Sequence, residues 1–202
     1  MVLFITFEGG EGSGKSTQAK ALYRRLLSLN TPTLLTHEPG GTPLGNSLRR
    51  WLKDKEEIDP RTELLLFNAS RAHLVSQVIR PALEKGTVVI CDRFAESTIA
   101  YQGYGRGLDF DLIEAINNIA TQGLKPDLIV FLDIPVDHGL ARKGLRDRFE
   151  REEIAFHQRV RSGYLDMAKK EPERWLVIDG SLPKKNIQGI IWERVQQLLN
   201  LR

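Results

Sequence analysis

One short segment constrains this chain more than any other. Gly9-x4-Gly14-Lys15-Ser16 brackets a four-residue gap with glycines and then adds a lysine and a hydroxyl. A β-branched and aromatic run, Val2 to Phe7, leads into it. A helical pattern with Ala19, Leu22, Leu26 and Leu29 on one face leads out, stopped by Asn30 and Pro32. A strand that ends in such a loop and turns into a helix aims backbone N–H groups inward. It also brings the positive end of the helix dipole to the same point, so the loop is a cradle for phosphate. At ~7% glycine, a chance match in a chain this long is on the order of 1%. Gly9, Gly10, Glu11, Gly12, Ser13, Gly14, Lys15, Ser16 and Thr17 are therefore expected to bind a nucleoside triphosphate. Lys15 would reach the β- and γ-phosphates and Ser16 would hold magnesium. A lysine facing open phosphates is expected to carry little packing.

Strand and helix signals alternate along the rest of the chain. Thr33 to Thr36, Thr87 to Cys91, Leu128 to Leu132 and Trp175 to Ile178 read as further strands, two of them nearly continuous apolar runs suited to a sheet covered on both faces. Thr42-Pro43 and Asp59-Pro60 each pair an N-cap with proline at the first helical position. The first opens a helix through Leu44, Leu48, Trp51 and Leu52. The second opens one through Leu64, Phe67, Arg71 and Val78 to about Arg80, where Pro81 should end or kink it. Later patterns pass through Leu112, Ile116 and Ile119, through Phe156, Val160, Tyr164 and Met167, and through Ile187, Ile191, Val195 and Leu198. Five strands joined by helical crossovers predict a doubly wound α/β sheet.

At 202 residues the chain reads as about one domain, 1–202, with no linker or repeat. Lys+Arg 29 against Asp+Glu 26 gives a net charge of +3, too small and too dispersed for a groove holding a nucleic-acid polymer. The apolar runs fall far short of the ~20 residues that cross a bilayer. Met1 to Phe7 has no basic residue before its apolar run and leads into glycine rather than a cleavage site. With Cys91 as the lone cysteine, a cytoplasmic protein with no membrane partner is expected.

Among proteins with such a loop, a guanine-nucleotide switch carries an Asn-Lys-x-Asp segment after a strand, and the sequence has none. A motor ATPase ends a strand in Asp followed by a catalytic Glu; here Arg93 follows Asp92 and Ile134 follows Asp133. A kinase is the reading that remains, with another nucleotide, a small alcohol, or an ATPase switch as alternatives.

Five segments, the glycine loop among them, carry a resemblance. Phe7 to Thr17, Glu38-Pro39-Gly40-Gly41-Thr42-Pro43-Leu44-Gly45, Leu65 to Arg71, Asp92-Arg93-Phe94 with Ser97 to Gly103, and Asp147-Arg148-Phe149-Glu150 stand in the order and spacing of the thymidylate kinase family, which the sequence resembles over essentially its whole length. The resemblance implies a P-loop nucleoside monophosphate kinase-like fold: a five-stranded parallel sheet with helices on both faces and a basic lid at about 142–153. It implies ATP and Mg2+ as cofactors, thymidine monophosphate as acceptor, and a homodimer formed through helices beside the sheet. Phe67 and Arg71, four apart on a helix, share a face. Taken alone they read as core and surface charge; by resemblance Phe67 stacks on thymine and Arg71 donates to its O4. Arg93 then clamps the acceptor's phosphate, with Arg49 as a second candidate. A structural ion pair between Arg93 and a loop carboxylate is the other reading.

Asp92, Ser16 and Glu11 would attend the metal, with Glu11 also accepting from the 3′-hydroxyl. Tyr101 crowds the 2′ position, Thr98 and Gln102 line the pocket, and Pro39 and Leu52 shape its apolar side. Because glycine stands at position 12, the resemblance implies that transition-state charge comes from the lid, through Arg146 and Arg148 beside Lys15 and Arg93. Arg142 covers the adenine, with residues after Asp179 at its edge. The other reading of this basic cluster is a solvated helix face. His37, where many relatives have arginine, receives no role, and Asn68 and Ser70 depart from a commoner pair.

Overall fold

The structure, a computed structural model, describes residues 2–53, 57–143 and 148–200. The chain runs β1 (Phe4–Glu8), α1 (Lys15–Ser28), β2 (Thr33–His37), α2 (Pro43–Lys53), α3 (Pro60–Leu74), α4 (Arg80–Glu84), β3 (Val88–Asp92) and α5 (Ala95–Thr98). It continues α6 (Phe110–Thr121), β4 (Leu128–Asp133), α7 (Val136–Lys143), α8 (Ile154–Lys170), β5 (Trp175–Asp179) and α9 (Lys184–Asn200). The five strands form one parallel sheet in the order β2-β3-β1-β4-β5. This is the sheet that the alternating apolar runs predict.

Side-chain alternation along the strands divides the core. Leu3, Ile5 and Phe7 with Val88, Ile90, Val130 and Leu132 face α1 and α9, meeting Leu22, Leu26, Ile187 and Ile191. The intervening residues face the other way. Phe4, Val89 and Cys91 meet Leu74, Val75 and Ile79, while Ile129 and Phe131 meet Phe156, Val160 and Tyr164 of α8. Strands β1, β3 and β4 are buried on both faces, which is why their sequences read as unbroken apolar runs.

Three features depart from the sequence reading. The helix that opens at Pro60 does not end at Arg80: a π-helical turn over Val75–Ile79 widens it, and α4 restarts with Pro81 in its first turn. There the missing N–H costs nothing. On α6 the buried residues are Ile113, Asn117 and Ala120, whereas Leu112 and Ile119 face outward, so the read stripe is not the core face. Leu29, read on the core face of α1, is also exposed. A second π-helical stretch, Ile99–Gly105, follows α5 and carries Tyr101 and Gln102. Among the described residues no helix is long and apolar enough to cross a membrane.

Candidate active site

A cleft of about 560 Å³ opens at the carboxyl ends of β1 and β3, running from the glycine loop to α3. Strand ends and helix starts meet at this edge of an α/β sheet, so backbone donors and loop side chains converge there. Glu11, Gly12, Ser13, Gly14, Lys15, Ser16 and Thr17 line it as expected. Gly9 and Gly10 do not. Their carbonyls instead accept from Lys15 Nζ at 2.9 and 2.7 Å, with Ser13 Oγ at 3.3 Å. The lysine thus carries more packing than its sequence position implies: it is 7% exposed. Burial, reinforced by the nearby Arg93 charge, pulls it down to about 8. Ser16 Oγ donates to Asp92 Oδ2 in a short contact between α1 and β3.

Arg93 follows directly on β3, held at φ 73 in the left-handed region. Its Nη2 donates to Glu11 Oε1 at 2.7 Å and to Tyr101 Oη at 3.1 Å; its Nη1 donates to the Gly9 carbonyl and to Ser97 Oγ, both at 3.2 Å. The ion pair with a loop carboxylate is therefore present, and the same guanidinium still lines the cleft. Glu11 Oε1 also accepts from Tyr101 Oη at 2.9 Å, so Glu11, Arg93 and Tyr101 form a closed triangle.

Beneath them lies Glu8, fully buried at the end of β1. Its Oε1 accepts from the Phe94 N–H at 2.7 Å, and its Oε2 accepts from Ser97 at 2.6 Å and Tyr164 at 2.9 Å. Burial raises this carboxyl despite the opposing pull of Arg93. By pinning Phe94 and Ser97 just after Arg93, and Tyr164 from α8, Glu8 fixes where the guanidinium emerges.

The α3 end of the cleft has different chemistry. Phe67 is half-buried, with its ring centroid 5.8 Å from that of Phe149. Arg71 is 1% exposed, not a surface charge. Its Nε donates to Glu38 Oε2 at 2.8 Å, its Nη1 to Thr98 Oγ1 at 2.8 Å and Asn117 Oδ1 at 2.7 Å, and its Nη2 to the Phe94 carbonyl at 2.9 Å. Burial raises Glu38 to about 7 even beside this guanidinium, and its Oε1 has no partner. Pro39, Leu52, Thr98 and Gln102 line the same region, and Arg49 Nη1 donates to the Pro39 carbonyl at 2.9 Å.

At the lid, Arg142 and Arg148 take different positions. Arg142 lines the cleft and donates to the Gly180 carbonyl at 3.3 Å, joining the two segments read as the adenine edge. Arg148 does not reach the phosphate loop. It pairs with the buried Glu63 at 2.6 Å and donates to the Leu52 carbonyl, while its guanidinium lies over Phe149 at 4.5 Å. A buried carboxylate with room for two cations holds it there, and neither a transition-state arm nor a solvated face describes that position. Arg146 and Asp147 lie outside the described residues.

The sequence reading missed Glu8, Glu63, Asn117 and Tyr164. The one available signal was a carboxylate or amide in an otherwise apolar stretch: Glu8 closes an apolar strand, and Asn117 replaces a core residue on α6.

A parallel sheet with a phosphate loop after β1, a cationic centre after β3 and an aromatic pocket across the cleft defines a P-loop nucleotide phosphotransferase. Comparison with known proteins narrows the class. The family model described as Thymidylate kinase matches residues 7–191. A thymidylate kinase of Dehalococcoides mccartyi strain CBDB1 is 54% identical over 206 aligned positions, covering 100% of this chain and 99% of the relative. One from Thermomicrobium roseum is 48% identical, covering 98% and 97%. The crystal structure of thymidylate kinase from Ehrlichia chaffeensis superposes with a TM-score of 0.81 at 37% identity, covering 96% of this chain and 98% of that one. The chain belongs to the thymidylate kinase family.

Proposed function

We propose that this protein transfers the γ-phosphoryl group of ATP to thymidine 5′-monophosphate, giving ADP and thymidine diphosphate for dTTP synthesis. The carrying observation is that one cleft holds the phosphate loop at one end, the Phe67 and Arg71 pocket at the other, and Arg93 between them. A phosphomonoester has a second pKa of ~6, so the attacking oxygen arrives already ionised and no general base is needed. That oxygen forms the new P–O bond as the bond to ADP breaks. The protein's part is alignment and charge neutralisation. Lys15 leaves its loop carbonyls for the β- and γ-phosphates, and Arg93 holds the acceptor's phosphate, exchanging Glu11 for it. Arg49 assists from α2, and Arg142 flanks the adenine beside Gly180.

The oxygens of Ser16, Asp92 and Glu11 suit a hard cation and would hold Mg2+. When bound, the ion neutralises phosphate charge. Phe67 stacks on the base, Arg71 donates to O4, and Tyr101, bonded to Glu11 and Arg93, stands against the 2′ position. Leu52 and Pro39 supply the apolar wall for the methyl group. A single 1–202 domain acts as a homodimer in the cytoplasm, consistent with the one buried, unpaired Cys91 and the outward apolar residues of α2, α3 and α6.

The test is an acceptor panel of natural monophosphates with ATP and magnesium. Thymidylate should be used well ahead of deoxycytidylate and the purine nucleotides. Steady ATP turnover without any acceptor would instead support a switch ATPase.

A further inference from the structure

Glu63 stands in the first turn of α3 with no accessible surface. Its Oε1 accepts from Gln102 Nε2 at 2.7 Å and Arg106 Nε at 3.3 Å. Its Oε2 accepts from Arg106 Nη2 at 3.2 Å and pairs with Arg148 at 2.6 Å. A carboxylate between two guanidiniums has only acceptors to offer, so the Gln102 amide must turn its NH2 end toward it. That resolves the twofold choice every glutamine side chain has. The carbonyl oxygen is left for the cleft, which Gln102 lines with Phe67, Arg71 and Thr98.

We propose that Glu63 is a positioning residue for base selection: by fixing the Gln102 amide, it makes that residue an acceptor toward the ring nitrogen of the bound base. The proposal rests on the thymidylate reading above. Thymine sets an N3–H donor beside its O4 acceptor, whereas cytosine sets an N3 acceptor beside its N4 amino donor. Arg71 has donors only, and Gln102 so fixed has an acceptor only. The pair matches thymine at both positions and opposes cytosine at both. An amide free to turn over could offer its NH2 group to cytosine N3 and cancel one of the two mismatches. Stacking on Phe67 serves either base and corrects nothing. Arg106 contacts both oxygens of the carboxylate, sharing Oε1 with Gln102, and bridges it to Glu152 at 2.6 Å.

Glu63→Gln keeps the size but can show Gln102 either end of its own amide. With ATP saturating, kcat/KM is measured for thymidylate and deoxycytidylate. The ratio between them should fall by about tenfold or more, the size of one hydrogen-bond mismatch, while the KM for ATP stays put. Arg106→Gln strips an ion pair from the same carboxylate but spares its bond to Gln102. It should lower Tm and keep the ratio. Gln102→Met retains length and loses the amide, so it should lose the ratio too, and it reports even if Glu63→Gln fails to fold. An unchanged ratio in Gln102→Met or in folded Glu63→Gln, or an equal loss in Arg106→Gln, overturns the proposal. A wild-type protein that phosphorylates neither nucleotide overturns the functional reading and this proposal with it.

Discussion

Lys15 is buried and folded onto its own loop, so its charge is costly before any phosphate arrives. Its proton is held to about 8 rather than the ordinary 10.5, with burial as the main cause. Between those values the unfolded chain keeps a proton that the folded chain has lost, so this residue's contribution to stability rises with pH through that window. Phosphate acts in the opposite sense by restoring the charge. ATP binding should therefore take up a proton near pH 8.5, measurable by calorimetry in two buffers of different ionisation enthalpy. Equal heats in both buffers would show that the lysine is already charged in the free protein. Lys15→Ala gives up three hydrogen bonds but also the burial penalty, so Tm should move little while kcat drops ~10²-fold or more. Arg71 behaves differently. Removing it strands Glu38, which is 4% exposed, and Arg71→Ala should cost ~3–5 kcal/mol of stability in denaturant titrations. Restoration of stability by adding Glu38→Leu would confirm the cause. The spacing of the glycine loop made Lys15 legible as a site residue, and the family resemblance pointed to Arg71. The sequence could not show their burial: Lys15 turns back onto its own loop, and Arg71 is enclosed by partners from Glu38 to Asn117 that only the fold assembles.

At the scale of elements, α7 and the phosphate loop approach backbone to backbone at Gly12 and Gly139. A Cβ built on Gly12, whose φ is 68, would fall on the Gly139 carbonyl oxygen of α7, and one on Gly139 would fall on the Glu11 carbonyl. No side chain fits between them, so α7 can rest on the loop only while both positions are glycine. Gly12→Ala adds backbone strain of ~1–3 kcal/mol and pushes α7 away. The expected result is a lower Tm and a raised KM for ATP with the thymidylate KM nearly unchanged; equal rises in both would mean that the loop itself has collapsed. Glycine at position 12 was legible as part of the loop, whereas its contact with α7, more than a hundred residues on, was not. Arg148 shows the same limit. The resemblance pointed it to the phosphates, yet the buried Glu63 draws it to α3. Arg148→Ala should lower Tm and leave kcat within about tenfold, well short of the ~10³-fold loss that an arginine on the transferred group would give. A loss of that size at unchanged Tm would return Arg148 to the transition state.

For the whole molecule, the stripe on α6 that the sequence suggested as core turns out to be two stripes. Ile113 and Ala120 face the interior, while Leu112 and Ile119 face outward, Ile119 at 77% exposure. Apolar periodicity records that a helix needs cover and does not say which surface supplies it. The neighbouring helices carry the same surplus: Leu65 on α3, and Leu44 and Trp51 on α2, the tryptophan at 68% exposure. Helix α3 packs against both α2 and α6, so these residues lie on one connected layer beside the sheet. A stable homodimer removes ~800 Å² from each partner, and an exposed apolar layer of this kind is where such burial is favourable. In a two-fold interface each substitution appears twice, so one buried charge per chain is doubly costly. Ile119→Glu should therefore convert the protein to a monomer in sedimentation velocity. Leu27→Glu on α1, also apolar and exposed but on the opposite face of the sheet, should leave the mass unchanged. Helix α3 also carries Phe67 and Arg71, so the Ile119→Glu monomer should show a higher KM for thymidylate with ATP affinity kept. A wild-type protein that sediments as a monomer at micromolar concentration, or an Ile119→Glu variant that stays dimeric, would place the interface elsewhere or remove it.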